Sequence, residues 1–190
     1  MRRFSQAISE GDGISLLAEV ENVDSARGAA GAGAEAIVVR GGFEGVRDAT
    51  ELPILWSDLR SLEEAHRAGA DACVLVVADF EEQDGRLERE HAAALELGLD
   101  CVVEVRDEDQ LQLALDRVDP DILLLSTPSA NAVDGLEHVL GLLLDVPAGK
   151  LAVAQVDAAH GEVVELERAG IDAVIVRSEE VAGLTGGPAP

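Results

Sequence analysis

The chain is poor in aromatic residues and holds a single lysine, Lys150. Of its 190 residues three are Phe, one is Trp and none is Tyr, so Val, Leu, Ile and Ala must fill the core. No apolar run reaches the roughly 18 residues that a membrane span needs. The start, MRRFSQAISEGDG, lacks the apolar segment of a signal peptide. We therefore expect a cytoplasmic protein with no membrane partner, folded as a single domain over residues 1–190.

Acidic residues outnumber basic residues along the whole chain. There are 38 Asp and Glu against 14 Lys and Arg, and the formal net charge is −24 at pH 7. The acids form no tail, which is typical of a solvated acidic shell. Such a shell disfavours nucleic acid and anionic lipid surfaces as partners. It indicates a high-salt cytoplasm, because unscreened like charges would destabilise the compact state.

Cysteine is scarce, with Cys73 and Cys101 as its two instances. Each stands near the start of an apolar run, which predicts two buried small side chains in neighbouring strands. The sequence has no CxxC pair and no spacing typical of metal ligands. We therefore assign no metal ligand and no cofactor.

Short apolar runs alternate with segments of helical periodicity. The eight runs are ISLLAEV (14–20), EAIVVR (35–40), PILW (53–56), DACVLVV (71–77), DCVVEV (100–105), DILLLS (121–126), KLAVAQV (150–156) and DAVIVR (172–177). Such alternation predicts a parallel sheet covered by helices. Eight strands favour a closed α/β fold, the (β/α)₈ TIM barrel, with function on the loops after the strand C-termini. An open doubly wound sheet is the alternative, but no GxGxxG follows the first strand.

The barrel would be compact, because 190 residues lie below its usual lower limit of about 200. The first two helical connections are short, and the SEEVAGLTGGPAP that follows the eighth strand cannot form a full closing helix. We expect residues 1–12 to form a helical segment and residues 183–190 a flexible tail. Either the N-terminal RFSQAIS or a second subunit must cover the flank beside the eighth strand, and we expect a homodimer.

Several segments resemble one family in order and spacing. FSQAISEGDGISLLAEVE is similar to the opening of indole-3-glycerol phosphate synthases. The segments AGAEAIVV, LPILWSDL, AHRAGADACVLVV and LGLDCVVEVRDEDQLQLAL follow that family's strands two to five, and ERAGIDAVIVRSEEV resembles its eighth. The resemblance implies a TIM barrel that closes an indole ring on a phosphorylated, ring-opened sugar. It also implies catalytic lysines and glutamates at strand ends and a phosphate pocket.

The resemblance assigns catalytic positions to Glu19 and Glu104, which match glutamates of the family's first and fifth strands. Glu21 stands where the first-strand lysine is expected, and Ser57 where the third-strand lysine is expected, while the aspartate that follows is kept as Asp58. Three further sets of family positions fall on Ser126 and Pro128, on Gln155, Val156 and Asp157, and on Arg177 and Ser178. Because both lysines are replaced, we predict no useful ring-closing activity; losing one positioned acid or base typically costs about 10²–10⁴ in rate.

The mouth of the barrel should hold acids and arginines together. The expected acids are Glu19, Glu21, Asp58, Asp79, Glu104 and Asp157, and the expected arginines are Arg40, Arg106 and Arg177. Clustered carboxylates suit a divalent metal. An anion site is the second interpretation, because Arg40 and Arg177 would flank the first strand in a closed barrel. The third, which we favour, is mutual neutralisation of acids and arginines in a decayed site.

The binding residues that we predict are Arg40, Asp58, Arg177 and Ser178, with a small anion as ligand. His66, His91 and His138 fall within predicted helices and are interpreted as surface residues. Three functions stay open. They are a degenerate family member with a binding, structural or regulatory role, an enzyme with altered chemistry on a small phosphorylated or acidic metabolite, and residual synthase activity in tryptophan biosynthesis.

Overall fold

A computed structural model describes residues 3–10, 13–41, 44–57, 61–80, 85–127, 134–156 and 160–185. Within these ranges eight parallel strands pair in chain order, and the last pairs with the first, so the sheet is a closed barrel. The predicted (β/α)₈ TIM barrel is confirmed, and the open doubly wound alternative is wrong. No helix of the described residues is long and apolar enough to cross a bilayer.

The strands lie within one or two residues of the predicted apolar runs. They are β1 Ser15–Val20, β2 Ala36–Arg40, β3 Ile54–Ser57, β4 Ala72–Val76, β5 Asp100–Val105, β6 Ile122–Ser126, β7 Leu151–Gln155 and β8 Ala173–Arg177. Alternate side chains point inward to fill the barrel, among them Leu17, Val38 and Val102. Their neighbours point outward to a second apolar layer beneath the helices.

Helices follow the strands with unequal lengths. They are α1 Arg3–Ser9, α2 Val23–Ala32, α3 Val46–Ala49, α4 Leu62–Arg67, α5 Arg86–Glu96, α6 Glu108–Arg117, α7 Gly135–Leu143, α8 His160–Ala169 and α9 Val181–Thr185, with a 3₁₀ turn at Val77–Asp79. The helix after β1 keeps ten residues, as many as α6 or α8. The expected shortening therefore falls on α3, with four residues, and on the closing helix α9, with five.

Helix α1 closes the N-terminal end of the barrel. Phe4 is 0% exposed and Ile8 2% exposed, and both pack into the interior cluster. The Ser5 N–H donates a 2.8 Å hydrogen bond to Asp100 Oδ2 at the start of β5. The sequence offered this segment as a cover for the flank beside β8, and that placement is wrong. A helix that directly precedes β1 lies at the end of the barrel where β1 begins.

The flank beside β8 is covered by α9, which packs on α2. Thr185 Oγ1 donates a 3.2 Å hydrogen bond to the carbonyl of Ala32. Gly33 ends α2 at φ +100°, where a Cβ would lie 2.7 Å from Thr185 Cγ2, so a larger residue would separate the two helices. Helix α9 includes the first three residues of the predicted tail, and residues 186–190 lie outside the described residues. The uncovered flank that suggested a homodimer is thus occupied, and the homodimer stays a prediction.

Candidate functional site

A cavity of about 470 Å³ opens among the C-terminal ends of the strands. Its charged lining consists of Glu19, Arg40, Glu104, Arg106, Arg177 and Glu180. Its remaining lining includes Ser126, Thr127, Gln155, Val156 and Ile175. The volume falls in the range of small-molecule sites, and its position is the end of a TIM barrel where function is expected.

Glu19 and Arg40 form one ion pair of this mouth. Arg40 Nε donates to Glu19 Oε1 at 2.6 Å, and about a third of each side chain is exposed. Glu19 is paired in register with Arg177 of β8 on its other side. The barrel therefore places Arg40 and Arg177 on the two strands that flank β1, as the anion-site interpretation requires.

Glu104 is the most buried carboxylate of the mouth. Its side chain is 10% exposed. Its Oε1 accepts a 2.9 Å hydrogen bond from Arg106 Nε and a 2.8 Å hydrogen bond from Ser126 Oγ. Two donors on one oxygen fix the orientation of this carboxylate towards the cavity.

The start of α6 positions Arg106. Asp107 caps that helix by accepting from the Gln110 N–H at 2.8 Å, and Gln110 Oε1 accepts from the Arg106 N–H at 2.9 Å. His138 Nε2 of α7 lies 2.7 Å from the Arg106 carbonyl oxygen, which matches an imidazole N–H donating to that oxygen. His138 does lie in a helix, but it supports a mouth residue instead of being a plain surface residue.

Arg177 is held by a carboxylate three residues later in the chain. Arg177 Nε and Nη2 both donate to Glu180 Oε1, at 3.1 and 2.7 Å. Ser178 contributes its backbone, whose N–H donates to the Glu19 carbonyl at 3.1 Å. Glu180 was not among the acids expected at the mouth. Its spacing of three from Arg177 gave no signal, because that rule holds within a helix and these residues lie between the end of β8 and the start of α9.

Some acids expected at the mouth are absent from the cavity lining. Strand β1 ends at Val20, and the chain then turns into α2, whose N-cap is Asn22. Glu21 is therefore exposed and does not line the cavity beside Glu19. Asp79 lines a different cavity, of about 320 Å³, beside α4 and α5. Asp58 and Asp157 lie outside the described residues.

The charged side chains of the mouth balance one another. Three arginines each contact one glutamate there. The single lysine, Lys150, lies at the opposite end, where its Nζ is 2.6 Å from Asp119 Oδ1. Across the described residues no three His, Cys, Asp or Glu side chains converge as a metal site would need. The mouth can therefore orient a polar ligand through guanidinium and carboxylate groups.

Comparison with known proteins gives a family as well as a fold. A family model described as indole-3-glycerol phosphate synthase matches residues 42–125. Indole-3-glycerol phosphate synthases of two Acidithiobacillus ferrooxidans strains are 33% identical over 135 residues, which is 68% of this chain and 51% of each relative. The chain thus spans about half the length of the curated relatives it matches.

Two solved structures share the fold at low identity. Thiamine phosphate pyrophosphorylase from Pyrococcus furiosus superposes with a TM-score of 0.64 at 20% identity, over 89% of this chain and 88% of that one. N-acetylmannosamine-6-phosphate 2-epimerase from Clostridium perfringens gives 0.69 at 13% identity, over 87% and 86%. These likenesses concern the barrel alone. The matching sequence segments, taken with the closed barrel, place this chain in the indole-3-glycerol phosphate synthase family.

Proposed function

We propose that this barrel binds a small anion at its mouth and has lost the ring-closing activity of its family. One observation carries the proposal. Both glutamates that match the family's catalytic positions, Glu19 and Glu104, are ion-paired to arginines. The arrangement is that of a binding site, in which acids hold guanidinium groups in place.

Arginine cannot take over the proton transfer of the missing lysines. A guanidinium stays protonated in proteins, so it cannot donate a proton to a leaving hydroxyl group. A general acid or base contributes typically about 10²–10⁴ in rate. Lys150, at the far end of the barrel, cannot reach the mouth. These considerations support a loss of ring closure.

The arginines retain donors for a ligand. Arg40 and Arg106 each use Nε for their own glutamate. Among the contacts of the described residues their terminal Nη groups have no protein acceptor, and both residues line the cavity. Guanidinium groups bind carboxylate and phosphate through paired N–H donors. A small phosphate or carboxylate is therefore the ligand class that this mouth supports.

The activity test is direct turnover. The protein would be folded in molar KCl and given the family's substrate, carboxyphenylamino-deoxyribulose phosphate, while indole fluorescence is followed. We expect no turnover, with the fold verified by circular dichroism. A Glu104→Gln variant is the control. Turnover that this variant abolishes would refute the degenerate function and establish residual synthase activity with other groups in place of the lysines.

The binding test uses inorganic phosphate and calorimetry. We expect Arg40→Gln to weaken binding about tenfold or more, because a hydrogen bond to a charged group is worth about 1.5–3 kcal/mol. The matched control is Arg27→Gln on α2, whose arginine pairs with Asp24 at the surface. Equal affinities of the wild type and both variants would show that Arg40 is not a ligand.

An enzyme with altered chemistry is the second candidate. The buried, doubly hydrogen-bonded Glu104 favours it, since its carboxylate is anchored beside an open cavity. Incubation with small phosphorylated and acidic metabolites, followed by NMR, would test it. If the wild type converts a metabolite and the Glu104→Gln variant does not, the protein is an enzyme and the proposal of binding alone is wrong.

A further inference from the structure

The two cysteines are neighbours across one strand pair. Strands β4 and β5 are parallel, and Cys73 and Cys101 are partners in register. Both side chains belong to the outward layer between sheet and helices, at 0% and 4% exposure. They are 28 positions apart in the chain. The sequence predicted neighbouring strands for them, and the register makes them direct partners.

We propose that Cys73 and Cys101 form a two-thiolate site for one soft divalent cation of the kind that prefers linear coordination by sulfur. Adjacent strands are spaced by about 4.7–4.9 Å. A metal–thiolate bond is about 2.3 Å long, so a linear S–metal–S unit spans roughly 4.6 Å and fits this spacing. The structure does not join the two cysteines in a disulfide.

The charge of the site selects the cation. Two thiolates and one divalent ion make a neutral unit, whereas a monovalent ion would leave a net negative charge in an apolar layer, which is costly. Zinc prefers four ligands, and no third His, Cys, Asp or Glu joins a metal-binding group in the described ranges. Soft thiolate ligands favour soft metals. Hg(II) is therefore the suitable probe.

A cavity reaches the pair from the side of Cys101, whereas Cys73 lies behind it at 0% exposure. The cavity measures about 290 Å³, lies at the N-terminal end of the barrel and is lined by Cys101 together with Ser5, His91, Asp100, Asp119 and Asp121. In the same lining Asp119 pairs with Lys150, and Asp100 accepts a hydrogen bond from the Ser5 N–H. With HgCl₂ as the probe, binding breaks two S–H and two Hg–Cl bonds and forms two S–Hg bonds. It releases two protons and two chloride ions, with no change of oxidation state.

The test is titration of the whole, reduced protein with HgCl₂, with ultraviolet charge-transfer absorption and proton release measured together. We expect one ion and two protons per chain, and loss of that signal in Cys73→Ala and in Cys101→Ala. Two ions per chain with one proton each in the wild type would show independent thiols, because each thiolate would then hold its own Hg(II) with a chloride retained. Uptake of Hg(II) only after the protein is unfolded would also refute the proposed site. So would a loss of two hydrogen masses without metal, which indicates a disulfide. If a variant does not fold, the ion and proton counts of the wild type decide.

Discussion

Glu180 Oε1 lies 2.7 Å from Arg177 Nη2 and 3.1 Å from Arg177 Nε, so one carboxylate oxygen bridges two donors of the same guanidinium. Both residues line the cavity at the mouth. Arg177 is one of the residues that we propose for anion binding. An anion that reaches this guanidinium must therefore compete with a carboxylate tethered three residues away, whose effective concentration is high.

Glu180→Gln should strengthen the binding of inorganic phosphate several-fold. The substitution removes the competing charge and leaves an amide oxygen that holds the guanidinium more weakly. Calorimetric titration of the wild type and the variant in the same buffer measures the difference.

Glu179→Gln provides the matched control for that experiment. Glu179 is exposed and adjacent, and its substitution removes the same formal charge without touching Arg177. If both variants strengthen binding equally, the effect is one of net charge, and Glu180 has no specific part in it.

Phe4→Ala should lower the free energy of unfolding by about 3–5 kcal/mol, the usual cost of deleting a buried aromatic ring. Phe4 is 0% exposed and packs into the interior of the barrel at the N-terminal ends of the strands. Urea unfolding followed by circular dichroism measures the change. Ser9→Ala, at an exposed position of the same helix, should stay within about 0.5 kcal/mol of the wild type. A similarly small change for Phe4→Ala would mean that α1 does not close the core.

Asp172 should give the protein a distinct pH dependence. Burial raises the pKa of its carboxyl above 3.8, although hydrogen bonds from backbone N–H groups, that of Ala152 among them, oppose the rise. The native state therefore holds this proton more tightly than the unfolded chain. As pH rises from about 4 through the native pKa, the unfolded chain ionises first and stability falls.

Asp172→Asn should remove this fall in stability with rising pH, because an amide does not ionise. Its oxygen can still accept the hydrogen bond from the Ala152 N–H. We expect the variant to be at least as stable as the wild type at neutral pH, and the advantage to vanish below about pH 4. Urea midpoints from pH 3 to 8 measure this. Asp121→Asn, at the exposed aspartate before β6, is the control. An advantage that persists unchanged at pH 3 would rule out ionisation of Asp172 as its cause.

The acidic surface should make stability depend on salt. With a net charge of −24, repulsion weakens as the Debye length falls from about 10 Å at 0.1 M salt to about 3 Å at 1 M. We expect Tm to rise by roughly 5 °C or more between 0.1 and 2 M KCl, about 2 kcal/mol for a chain of this size. Sucrose of equal osmolality is the control. A Tm that is unchanged or lower in KCl would contradict a protein adapted to high salt.

The strands could be predicted from the sequence because a buried parallel strand is a short, nearly continuous run of apolar residues. Runs such as DACVLVV and DILLLS carry apolar residues on both faces, and they became β4 and β6 within one residue. The order of these runs also predicted the closed barrel. The surfaces that the terminal helices cover could not be predicted in the same way. The amphipathic pattern of α1 is the same whichever surface it packs against.

The pairing of side chains at the mouth needed the tertiary structure. Glu19 and Arg40 are 21 positions apart, and only the packing of β1 beside β2 brings them to 2.6 Å. Glu21 was expected beside Glu19 because alternate residues of a strand share a face. Strand β1 ends at Val20 and Asn22 caps α2, so Glu21 lies outside the strand.

The barrel, the family resemblance and the replacement of the catalytic lysines follow from the amino-acid sequence, because strand periodicity and residue identity are local properties. Folding is needed for Arg106 and Ser126 to share Glu104, and for Cys73 to pair in register with Cys101. Such contacts depend on strand register and on side-chain direction. Both are fixed only when the whole sheet closes and every inward position must be filled at once.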